Sequence, residues 1–443
     1  MSVSARQSFD DKPSGKCDSS RDRSEADGDQ SRPGDVGDGP ESRPSGPPEG
    51  GFKAWLQVLC GFIMFWHAWG LVNSYGVFQK FYSTVLLPTD SESNISWIGS
   101  LEGALLAFTT IFAGPLFDAG HGRQLVIGGS FLVVLGLMMT SLCTTYWQLI
   151  LAQGLCTGIG AGALFLVAVA VLPAYFGSKR ALAIGIAASG SPLGGIVYPI
   201  IFHYLVPRVG FGWTTRIIGF ISLALLVIPC LFLRPIMSSR TTVRKIIDFS
   251  GFRELRFNLL CIAIFCGNCG LYIPFFYISQ YAHKEGFSPE LAFYMLPLLS
   301  AGSIPGRIIP GFLADLVGPL NVLTICTALA GVLGFCWVAI GDSIPGLIIW
   351  ALSYGCFSGA FLSLQPTTIV SITSDLGIVG GRLGTSTFFC ALGVLVGSPV
   401  GGAILSQASS WVGIQVFCGA ILLLASLFAF LTRSVGRRIQ AKS

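Results

Sequence analysis

Charge is what this sequence has least of. Asp, Glu, Lys and Arg make up 11% of its 443 residues, against about 25% in an ordinary soluble chain. The shortage is sharper than that figure, because eleven of the 22 acids fall between Asp10 and Glu49. The remainder has too little polar surface to keep a protein of this length in water. Also missing are a glycine-rich phosphate loop, a cluster of residues at metal-ligand spacing and a nucleophile–base pair, which argues against an ATP-driven machine, a metal site and an enzyme. No short apolar core with a cleavage site opens the chain, so the first membrane helix is expected to direct insertion itself. The net charge of +5 reflects basic loops between apolar runs and does not indicate nucleic-acid binding. No cofactor is implied.

Cysteine is not scarce, with 13 in the chain, but from Cys60 to Cys418 most lie inside apolar runs, where a free thiol acts as a small hydrophobe. Cys266-Gly-Asn-Cys269 has the spacing of a redox pair, yet it sits within a candidate membrane helix and lacks the surrounding βαβ pattern.

What the chain has in abundance is long apolar runs. Twelve of them cover 54–77, 95–117, 124–142, 147–176, 181–206, 212–233, 257–281, 291–313, 319–340, 344–372, 383–407 and 411–432. Each matches a hydrocarbon layer of about 30 Å. In lipid every backbone group must be satisfied within the protein, and runs this long do so only as helices. The expected fold is all-α: a polytopic membrane protein of twelve transmembrane helices in two pseudo-symmetric six-helix bundles. Residues 1–48, rich in Ser, Pro, Gly and Asp, are expected to be a disordered cytosolic tail. The bundles would span 49–233 and 257–433, joined by a basic cytosolic connector at 234–256, with a short tail at 434–443.

The basic residues set an expected orientation. With the N-terminus inside, the cytosolic loops and C-terminal tail hold 14 Lys and Arg, and the outer loops and margins hold four. That bias places both termini in the cytosol. The sequon Asn94-Ile-Ser96 then falls in the first outer loop, where it could carry a glycan.

The two halves repeat one another. Gly114-Pro-Leu-Phe-Asp118 ends the second helix and Gly311-Phe-Leu-Ala-Asp315 the eighth. Gly190-Ser-Pro-Leu-Gly-Gly195 lies in the fifth and Gly397-Ser-Pro-Val-Gly-Gly402 in the eleventh. Both matches join helix n to helix n+6, the duplication that alternating access uses to rock two bundles around a midplane site.

These residues resemble the major facilitator superfamily. Gly114-Pro-Leu-Phe-Asp118-Ala-Gly-His-Gly122-Arg123 is similar to that superfamily's loop between helices two and three. The resemblance implies a conformational latch made by Asp118, Arg123 and, in the second half, Asp315. Within the superfamily the chain is similar to the monocarboxylate transporter family of fungal type. Glu49-Gly-Gly-Phe52-Lys-Ala-Trp55 resembles its lead-in to helix one. The string from Tyr175 to Gly194, with Lys179, Arg180, Gly185, Gly190 and Gly194, follows its helix-five signature. Two positions depart from the animal members: Asn73 stands where they carry a lysine, and Ser303 where an acid precedes the helix-eight arginine, here Arg307.

Ionisable groups at membrane depth are functional candidates by default. Arg307 could hold a substrate carboxylate through two parallel hydrogen bonds; otherwise it snorkels or pairs with Asp315 or a backbone carbonyl. Glu102 could carry a coupling proton or hydrogen-bond nearby hydroxyls. His67, near the middle of helix one, suits a proton relay or substrate contact, or a simple packing bond. Asn73, Asn268 and Gln365 could bind a ligand or only bridge helices. The glycines at small-xxx-small spacing in helices five and eleven allow close crossings.

The resulting expectation is a secondary transporter that moves a small organic solute, an organic anion or specialised metabolite, by alternating access with or without protons. It would work as a monomer in the lipid bilayer of the plasma membrane. The other reading is a transporter-like nutrient sensor that signals through its cytosolic parts.

Overall fold

The structure, a computed structural model, describes residues 51–176, 180–234, 251, 253–373, 379–408 and 410–440. Among these residues it is helical, with no strand. The helices are α1 Phe52–Phe81, α2 Glu92–Leu116, α3 Gly122–Thr140 and α4 Tyr146–Val171. Next come Arg180–Ala188 and, after Ser189, a helix from Gly190 to Phe232. The second half contains α7 Leu255–Lys284, α8 Pro289–Val317, α9 Pro319–Cys336, α10 Ile344–Ile372, α11 Val379–Ala408 and α12 Trp411–Gln440.

Eleven spans among the described residues are long and apolar enough to cross a membrane, and the one from Ala183 to Phe232 has 50 residues. At about 1.5 Å per residue it would be more than twice as long as a bilayer core of about 30 Å. It is two crossings. Gly210 breaks the helix at φ 76° and ψ 169°, a backbone conformation that side-chain-bearing residues rarely adopt. The hydroxyls of Tyr198 and Ser222, each twelve residues from Gly210, meet at 3.4 Å. The arms therefore fold back on each other as α5 (180–209) and α6 (211–232), which accounts for the twelve expected crossings. The end of α6 returns to the start of α1, where Gln57 Nε2 donates to the Phe232 carbonyl at 3.2 Å. Its Oε1 accepts from the Arg234 N–H at 3.0 Å. One amide thereby satisfies a frayed helix end in both directions.

Without a hydrophobic drive between helices in lipid, close packing of small residues holds such a bundle together. The glycines carry it. A methyl group on Gly190 of α5 would lie 2.2 Å from the Phe62 carbonyl of α1, and one on Gly397 of α11 would lie 2.1 Å from the Cys269 carbonyl of α7. Likewise Gly158 and Gly162 of α4 press on α2 backbone at Glu102 and Leu106, and Gly306 of α8 presses on the Cys356 carbonyl of α10. Each pair maps onto the other under the n to n+6 relation. The turns after Asp118 and Asp315 are alike too: Gly120 (φ 98°) and Gly318 (φ 90°) both need the left-handed region.

Between the halves, α2 packs on α11, α5 on α8 and α1 on α7. We call the side holding residue 52 and the end of α12 the terminal face, and the opposite side the distal face. The distal face is closed by cross-half contacts. A methyl on Gly76 would strike the Phe275 carbonyl at 2.3 Å. Ser93 donates to the Pro399 carbonyl at 3.0 Å, Gln280 to Glu92 at 2.9 Å, and the Tyr204 and Tyr294 hydroxyls meet at 2.9 Å.

Candidate functional site

The site grows from a proline. In α5, Ala188 would ordinarily give its carbonyl to the N–H four residues on, but that residue is Pro192, which has none. Arg307 of α8 takes the place of that donor: Nη1 reaches the Ala188 carbonyl at 3.3 Å, and Nε reaches Ser303 Oγ at 3.3 Å. Arg307 is 7% exposed, so it does not snorkel; it bridges the halves through the backbone. Ser303 leaves the guanidinium with neutral partners only among the contacts seen.

Around it lie polar atoms with no partner among the described residues. Tyr272 of α7 stacks on Trp69 of α1, with ring centroids 6.0 Å apart and planes 10° apart. It is an electrostatic neighbour of Arg307, and its buried hydroxyl bonds nothing. Asn73 donates to Ser191 Oγ at 3.2 Å, while its Oδ1 is left over. Ser300 Oγ faces the same point from α8, also unbonded. A methyl on Gly195 would lie 2.8 Å from Ser300 Oγ and 3.0 Å from Asn73 Cβ. The sequence candidates Asn268 and Gln365 are not brought to this point by any described contact: Asn268 donates to its own helix at Ile264, 2.8 Å, lies against Gly393 of α11 and keeps Oδ1 free, and Gln365 Nε2 on α10 is free as well. A buried polar atom without a partner costs about 1–3 kcal/mol. Several at one meeting of α1, α5, α7 and α8 are the mark of a place built for a polar ligand or for water.

The other sequence candidates lie elsewhere. His67 is fully buried, with Nδ1 2.7 Å from the Ile63 carbonyl and its ring 6.3 Å from that of Tyr198. It faces the first half's interior. Glu102 is also buried in the first half: Gln153 of α4 donates to its Oε2 at 3.4 Å, and Tyr82 donates to Gln153 Oε1 at 2.6 Å. Its expected hydroxyl partners are thus replaced by an amide, and Oε1 has no partner among the described residues. Asn94 is exposed but stands in the first turn of α2, not in a loop, because Ser91 caps that helix by accepting from the Asn94 N–H at 3.1 Å. The sequon's Ser96 is buried against the Ser93 carbonyl.

Of the helix-five glycines, Gly190 and Gly194 make close crossings with α1, whereas Gly185 has open space beside it. Lys179, and the side chains of Asp118, Arg180 and Asp315, lie outside the described part of the structure; Arg123 is exposed at the start of α3. The ion pair that does tie the terminal face joins Arg382 of α11 to Glu254 before α7, with the guanidinium 5.3 Å from the Phe257 ring centroid. Sequence reasoning missed Ser300, Ser191 and the Trp69–Tyr272 stack. Pro192 inside a helix was the available signal.

Twelve apolar crossings, a duplicated set of helix contacts and a polar centre between the halves define a membrane carrier. Residues 54–389 match the Major Facilitator Superfamily, and the chain belongs to it. It is 43% identical to the MFS-type transporter dbaD of Emericella nidulans, over 85% of each chain. It is 37% identical to an agnestins efflux protein of Paecilomyces divaricatus, over 88% of this chain and 90% of that one. To the aspyridones efflux protein apdF of Emericella nidulans it is 33% identical, over 86% of this chain and 78% of that one. Among solved structures, the nucleoside transporter NupG aligns with a TM-score of 0.68 at 14% identity, covering 86% of this chain and 99% of NupG. That likeness speaks to the fold alone.

Proposed function

We propose that this transporter exports a small organic anion with an aromatic body, a specialised metabolite, and binds it at Arg307, Tyr272, Trp69, Asn73 and Ser300. The observation that carries the reading is the set of unpartnered buried polar atoms beside a buried arginine where the halves meet. The arginine's geometry suits a carboxylate or enolate, the Trp69–Tyr272 pair an aromatic ring, and Ser300 and Asn73 further oxygens. The efflux relatives support the direction of transport, and the helix-five signature keeps the scaffold close to monocarboxylate porters. The distal face is the outer one in this reading, since Lys and Arg crowd the terminal face. The protein works as a monomer in the plasma membrane with both termini in the cytosol, and residues 49–233 and 257–433 move as the two bodies. Glu102 is the candidate proton carrier, and the Asp118, Arg123 and Asp315 motifs are candidate latches.

The test is metabolite profiling of cells and medium with and without the gene, then counterflow of the identified compound with Arg307→Ala. A compound retained in cells on deletion, with counterflow sharply reduced by the substitution, is the expected result. Undiminished counterflow by a normally expressed variant would remove Arg307 from the site.

A further inference from the structure

A cavity lies on the distal face, apart from the central site. It has a volume of about 230 Å³ and is formed by α1 and α5 from one half and α7 and α8 from the other. Its walls are mostly apolar, with Phe81, Phe202 and Phe293 supplying aromatic surface, and His203 stacked flat on Phe293 at 4.0 Å. Four polar side chains interrupt that surface: His203, Thr84, whose hydroxyl donates to the Lys80 carbonyl at 2.8 Å, Lys80 and Ser279. Lys80 is half-buried, and among the described residues no carboxylate lies within ion-pair distance of it. Ser279, only 3% exposed, borders the same cavity; its hydroxyl is buried behind the wall and has no partner among those residues.

An unpaired ammonium at the rim of an aromatic cavity attracts one class of ligand. Water serves a lysine well on an open surface but poorly where phenyl rings surround its stem. A neutral aromatic would leave Lys80 unsatisfied. A cation would be repelled. An aromatic acid satisfies both the apolar and the charged part of the cavity: rings against the phenylalanines and an anionic oxygen on Lys80 Nζ. We infer that this distal cavity is a second binding site for aromatic organic anions, a station that cargo occupies on the outer side of the closed distal gate. The inference rests on the proposed anionic cargo, but it places a contact at Lys80 that the central site does not need.

The two sites can be told apart by binding. The probe is radiolabelled 2-naphthoate, measured by equilibrium binding to the purified full-length protein in lipid nanodiscs, with 2-naphthalenemethanol as the neutral comparison. The expected result is saturable naphthoate binding with a component that persists in Arg307→Gln; in that background the component weakens about tenfold when Lys80→Gln is added, as a charged hydrogen bond is lost, and is restored by Lys80→Arg. The alcohol should bind poorly to the wild type. An undiminished component in the monodisperse double variant would overturn the inference, as would equal binding of acid and alcohol or no naphthoate binding at all. Binding lost in Arg307→Gln but kept in Lys80→Gln would assign the acid to the central site, sinking the distal site while leaving the transport proposal intact.

Discussion

Arg307 is held by a backbone oxygen that a proline has set free, and this gives a substitution with an unusual logic. Pro192→Ala adds no bulk and removes no functional group; it restores the N–H that would draw the Ala188 carbonyl back into its own helix. Counterflow is expected to fall about tenfold, the scale of one hydrogen bond to a charged group, with expression unchanged. Normal counterflow would mean that Ala188 does not orient the arginine. Glu102 permits a cleaner change: Glu102→Gln keeps a polar partner for Gln153, so the fold should persist. If this carboxyl carries the coupling proton, the variant's flux should no longer respond to pH while exchange continues, and a retained pH response would dismiss it. At this scale the sequence exposed the chemistry but not the partners. Arg307, Asn73 and Asn268 stood out because polar side chains are costly in lipid. The Ala188 carbonyl could not, because every residue has one and only packing decides which is orphaned.

Among the elements, glycines decide how near the helices come. Gly190→Ala would put a methyl 2.2 Å from the Phe62 carbonyl, and backbone cannot yield as a side-chain tip can. A loss of about 1–3 kcal/mol is expected from the forced separation, visible as a lower melting temperature in detergent. Gly185→Ala, five residues earlier and facing open space, should melt with the wild type. Equal melting of the two variants would show that close approach of α1 and α5 does not limit stability. The helices themselves were legible, since length and hydropathy define a crossing. The paired Gly-Ser-Pro strings already pointed to the duplicated contacts. Less legible were the matching glycine rows of α4, on α2, and of α10, where Gly355 and Gly359 press on α8 backbone at Leu299 and Ser303, because glycine is so abundant that no one spacing stands out. The Gly210 hairpin was visible as a gap between runs, but not as a single residue that turns one helix into two.

For the whole molecule, the distal closure should be the part that opens. Tyr204 of α5 and Tyr294 of α8 meet through their hydroxyls at 2.9 Å, so cysteines in their place lie within reach of a short bifunctional thiol reagent. Cross-linking a Tyr204→Cys, Tyr294→Cys double variant is expected to halt flux, with neither single variant affected by the reagent. Flux that continues through the cross-linked protein would show that α5 and α8 need not part at this point. The duplication has a consequence for how the distal face can open. The n to n+6 relation keeps each face on its own side, since α1 and α7 both begin at the terminal face and α2 and α8 both begin at the distal one. Trading shapes between the halves would leave the distal face shut. In the alternating-access reading the opening therefore has to come from tilting one body against the other, with α2 on α11 and α5 on α8 as the lines along which they rock.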